Sequence, residues 1–85
     1  MLDGSLAWGE VEQLLEDLVR HQQEQLLQCG RRIIPTLIPD DLLQPNDFPE
    51  LEFHPYFRYE EGVTAGLQTA QMALRALRRR YTLYE

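Results

Sequence analysis

The sequence predicts an all-α fold, an antiparallel two-helix hairpin bound by a long proline-rich strap. Three observations lead there. Two stretches, residues 6–33 and 56–81, carry apolar residues at helical spacing. The five prolines of the chain all fall between Pro35 and Pro55, where they interrupt that periodicity. The charges at the two ends of the helices are also complementary when the helices run in opposite directions.

The first helix is expected over about 6–33. Ser5 is a candidate N-cap, because its hydroxyl can accept a free N–H of the first turn. Val11, Leu14, Leu15, Leu18, Val19, Leu26, Cys29 and Ile33 form one broad face. Its centre is interrupted by the polar run from His21 to Gln25, which puts Gln22 and Gln25 on the seam. Two readings fit this run: a partly wet face, or a buried amide layer that sets register. Pro35 disfavours the α region at Ile34, so the helix stops there at the latest.

Residues 35–55 form the strap. A structureless loop of this length is uncommon in a compact domain. This one lacks Gly and Ser and carries Leu37, Ile38, Leu42, Leu43, Phe48, Leu51 and Phe53. Those residues predict an ordered segment lying across the helices rather than a tether. Pro39 to Leu43 reads as one short helical turn, and Asp47 to Glu50 as a second.

The second helix, about 56–81, has two adjacent seams. The small one is Gly62, Gly66, Thr69, Ala73 and Ala76; the large one is Val63, Leu67, Ala70, Leu74, Leu77 and Tyr81. Small residues let another backbone approach closely, and large ones fill a core. A helix with both expects more than one neighbour. The expected completion is a homodimer, packed as a four-helix bundle through the small seam. In the antiparallel arrangement Arg31 and Arg32 lie near Glu60 and Glu61, and Arg75, Arg78 and Arg79 near Glu10, Glu12 and Glu16.

Composition limits the functional classes. The net charge is −6, a poor match to a phosphate backbone. All eight basic residues are arginines. The basic helix end Arg75, Arg78, Arg79 and Arg80, with Tyr81 and Tyr84 beside it, is the one candidate nucleic-acid grip. Dipole compensation and pairing with the first helix account for it equally well. A single cysteine, Cys29, excludes an intrachain disulfide framework. The N-terminus lacks the pattern of a secretory signal, and no run is long and apolar enough to span a membrane. These features lead us to expect a soluble, cytoplasmic protein.

Candidate chemistry is sparse. His21, Glu24 and His54 are the possible metal ligands, with Glu60 and Glu61. The Glu-x-x-His pattern of carboxylate-bridged bundles is missing, so no metal or other cofactor is expected. Cys29 lies on the apolar face, as a structural thiol does. No nucleophile triad or Gly-rich phosphate loop is present. The sequence therefore reads as a non-enzymatic protein–protein interaction module. Its expected interface is Gly62, Gly66, Thr69, Ala73 and Ala76, together with Phe53, Tyr56, Phe57 and Tyr59. A further protein partner is expected through the acidic, aromatic strap. Residues Asp40 to Glu61 hold seven acids against the single base Arg58.

Overall fold

A computed structural model describes residues 4–82, with the side chains of residues 4–6 and 82 left undescribed. The chain is mostly helical, and the described residues contain no strand. Helix α1 spans Gly4–Ile33. Two 3-10 turns follow, Pro39–Leu43 and Pro45–Asp47. A single-turn helix α2 spans Pro49–Glu52, and α3 runs over Pro55–Thr82. Each of these four later elements starts on a proline, whose fixed φ suits a first helical turn and whose missing N–H is not needed there.

The two long helices pack along each other in a particle of 50 × 20 × 20 Å. Their cross-contacts run in opposite chain directions. Gln22 donates to the carboxylate of Glu60 at 2.6 Å, and Arg78 pairs with Glu12 at 2.6 Å. Nearer the chain ends, the rings of Trp8 and Tyr81 lie 6.5 Å apart. Of the polar run in α1, then, Gln22 bridges the helices whereas Gln25 is exposed. Among the described residues no ion pair joins Arg31 to the acids of α3. Its Nε instead donates to the Leu37 carbonyl at 2.8 Å and holds the start of the strap against the end of α1.

The core sits at the strap end of the molecule. Leu26, Cys29, Leu37, Leu51 and Phe57 are buried together, with Leu27, Ile33, Ile34, Leu42 and Phe48 packed against them. Gly30 makes this possible. A Cβ there would lie 2.5 Å from Leu37 Cδ2 and 3.6 Å from the Phe57 ring, so the missing side chain is the space Leu37 occupies. Phe57, expected at an interface between molecules, is fully buried in this core. It faces α1 from the first turn of α3, whereas Tyr56 and Tyr59 lie on another side of that turn and remain exposed.

The broad apolar face expected on α1 is only partly covered. Val19, Leu26 and Cys29 are buried, but Val11, Leu14 and Leu18 are exposed. One neighbouring helix shields a narrow stripe of a helix surface, and the apolar arc of α1 is wider than that. Ser5 lies within α1 and its side chain is outside the described residues; Tyr84 lies outside them altogether.

Candidate interaction surface

The contacts between α1 and α3 follow a regular seam. On α1 it runs through Glu12, Leu15, Val19, Gln22 and Leu26; on α3 through Glu60, Thr64, Leu67, Gln71, Leu74 and Arg78. Every one of these side chains is buried or half-buried. Positions one residue after the seam make one flank of the helix pair, and positions one residue before it make the other. Both helices are right-handed and their contacts run oppositely, so the same offset falls on the same side in each.

The first flank is polar and partly covered. Arg20, Gln23 and Leu27 of α1 share a groove of about 520 Å³ with Glu61, Ala65 and Gln68 of α3. Pro39, Leu42 and Leu43 of the strap close part of it. The strap therefore crosses the molecule on this side. It is held there by Arg58, whose Nε donates to the Glu52 carbonyl at 2.8 Å and whose Nη2 donates to Asn46 Oδ1 at 2.9 Å. Its Nη1 pairs with Glu61 at 2.6 Å. Sequence reasoning gave Arg58 no role, although a lone base within an acidic stretch was a usable signal.

The opposite flank has no cover from the strap. On α1 it carries Val11, Leu14 and Leu18, then His21, Gln25 and Gln28. On α3 it carries Tyr56, Tyr59, Val63, Gly66, Ala70, Ala73 and Leu77. No Asp, Glu, Lys or Arg falls among them. Leu14 is 59 % and Tyr59 67 % exposed. The apolar part of this flank, Val11, Leu14 and Leu18 of α1 beside the uncharged residues of α3, is a grouped exposure of the kind that marks interaction sites. It includes two residues of the small seam, Gly66 and Ala73. The other three, Gly62, Thr69 and Ala76, lie further round on the outer side of α3. Gly62 and Gly66 have nothing within 4 Å of where a Cβ would stand, so the close approach these glycines permit is not used among the described residues.

The remaining candidates are dispersed. His21 and Glu24 are exposed on α1. His54 precedes α3, where its Nδ1 accepts from the Phe57 N–H at 3.4 Å and caps the helix. Among the described residues no three of His, Cys, Asp and Glu gather as a metal site would require. Arg78 is tied to Glu12, while Arg75, Arg79 and Arg80 are exposed. The strap's aromatics divide: Phe48 packs on the core, and Phe53 is 77 % exposed. No described helix is long and apolar enough to cross a membrane.

Burial, chiefly, raises the thiol pKa of Cys29; the negative charge of Glu60 adds to this and Arg32 opposes it. The folded chain thus holds the thiol proton more tightly than the unfolded chain. The associated stability is complete below the unfolded thiol pKa of about 8.5 and is lost as pH rises through that value and the higher folded one. The urea midpoint of the wild type is expected to fall more steeply above about pH 8.5 than that of Cys29→Ala. A thiol reagent at neutral pH is expected to label Cys29 only as the chain unfolds.

No protein family, characterised protein or solved structure matches the chain.

Proposed function

We propose that this chain is a small non-enzymatic protein–protein interaction module, of the adaptor, assembly-factor or chaperone-subunit kind. In this reading it is a helical hairpin that acts by packing its uncovered flank against other helices. A second copy completes a four-helix bundle in the cytoplasm. The observation that carries the reading is the contrast between the flanks: strap and charges on one side; on the other no Asp, Glu, Lys or Arg, with Val11, Leu14 and Leu18 exposed. Scattered apolar exposure is ordinary, but Val11, Leu14 and Leu18 exposed together beside an uncharged edge of α3 favour association. A buried lone thiol is also compatible with a reducing compartment.

Solution mass by light scattering, across a concentration range, tests this. The expected result is a dimer that persists on dilution. A monomer at every concentration would remove the homodimer and leave the flank to a different protein. A second surface has its own support: Leu43 and Phe53, each 77 % exposed, stand on the strap among the exposed acids Asp40, Asp47 and Glu50. That chemistry suits a partner with a basic rim around an apolar cleft.

A further inference from the structure

We infer that the groove on the strap side is a docking site for a basic amphipathic helix of another protein. The inference rests on the interaction-module reading above, but uses a surface separate from the bare flank and from the homodimer. The walls of the groove are α1 and α3, and Pro39, Leu42 and Leu43 of the strap close part of it. Of the lining residues, Leu26 and Thr64 are buried and form the floor. The Thr64 hydroxyl donates to the Glu60 carbonyl at 2.9 Å, so it is not free to bond an incoming group. On the α3 side Ala65 contributes only a methyl group, which leaves the groove open there. Such a floor favours apolar side chains, because a polar group placed on it would lose its water without gaining a partner.

The rim favours cations. Its ionisable residues are Arg20, Glu24, Asp40 and Glu61. Arg20 is held by Glu16 at 3.7 Å and Asp17 at 3.5 Å, and Glu61 by Arg58 at 2.6 Å. Glu24 on α1 and Asp40 on the strap are exposed, and neither forms an ion pair among the described residues. Two uncompensated carboxylates from separate elements therefore border the groove, on a chain of net charge −6. An apolar segment flanked by Lys or Arg is complementary to both floor and rim. An acidic segment is repelled. Between Arg20 and Leu27 the groove follows about two turns of α1, roughly 10 Å at 1.5 Å per residue. That length admits two apolar side chains one turn apart, as a docked helix presents them.

Fluorescence anisotropy with two labelled synthetic peptides tests this. Both carry leucines at helical spacing; one has lysines at its remaining positions, and its twin has glutamates. The lysine peptide is expected to bind and the glutamate peptide to fail. Ala65→Trp fills the groove from an exposed position and should abolish binding while the circular dichroism of the chain stays the same. Glu24→Gln combined with Asp40→Asn should weaken binding by about two- to tenfold, the range for two exposed ion pairs. Glu10→Gln combined with Glu50→Gln removes as much charge outside the groove and should leave the affinity nearly unchanged, as should Leu14→Gln on the bare flank. Equal binding of the two peptides, or binding of neither, overturns the inference. So does binding that survives Ala65→Trp, and its loss in Leu14→Gln would move the docking site to the bare flank. Equal weakening by the two double variants would reduce the effect to net charge and overturn the groove as well. Light scattering on the same samples keeps the homodimer separate. A persistent dimer that ignores the lysine peptide overturns the docking site alone, and a monomer that binds it overturns the homodimer alone.

Discussion

Phe57→Ala is expected to destabilise the chain by about 3–5 kcal/mol, the usual cost of emptying an aromatic site in a packed core. Phe57 is completely buried, in one cluster with Leu26, Cys29, Leu37 and Leu51. An 85-residue chain has roughly 4–13 kcal/mol in total, so the loss is a large part of what holds the fold together. Urea unfolding followed by circular dichroism measures it. Protein concentration must be held fixed, because association couples to stability. Tyr59→Ala is the contrast. It removes a larger but exposed ring from the same region of α3, and it should leave unfolding nearly unchanged wherever the chain is monomeric. If Phe57→Ala shifted only the monomer–dimer equilibrium, its place in the core would be refuted.

Gly30→Val should destabilise by about 1–3 kcal/mol, the range for overpacking a filled core. A Cβ at this position meets Leu37 Cδ2 at 2.5 Å, and Leu37 is itself buried between α1 and the strap. The two further methyl groups of valine press toward Phe57 and Leu42, which lie 3.6 and 3.8 Å from the Cβ position. Gly30→Ala is a finer case. It gains about 1 kcal/mol of helix propensity and needs only the end of one flexible side chain to move, so it should come out near neutral. The pair of variants separates the two effects in the same unfolding experiment. A Val variant as stable as the Ala variant would show that the strap does not pack on Gly30.

Much of the helical content was legible because it is local. Apolar spacing around Val19 and Leu26, and around Leu67 and Leu74, is a property of neighbours in sequence, and a helix is built from interactions three and four residues apart. The turn at Pro39–Leu43 was legible for the same reason, since its proline presets the backbone; the turn expected at Asp47 to Glu50 instead straddles two elements, Pro45–Asp47 and Pro49–Glu52. The Glu12–Arg78 pair was also readable, from complementary charge at matching distances from the connection.

What only the tertiary structure decided concerns sides. Phe57 and Tyr59 are two residues apart and similar in composition. One is core and the other surface because α1 lies on only one side of α3. The glycines of α3 mark where a backbone may come close, which periodicity can show. Whether a neighbour occupies that space depends on where the strap lands, and it lands on the flank that carries Ala65 and Gln68. Arg58 decides that placement through bonds to Glu52, Asn46 and Glu61, residues between three and twelve positions away. Residues 35–55 are held down by the buried Leu37 and Leu51, with Leu42 and Phe48 packed against the same core. The flank they leave bare follows from the packing of the whole chain, and that bare flank is the feature from which the proposed function is drawn.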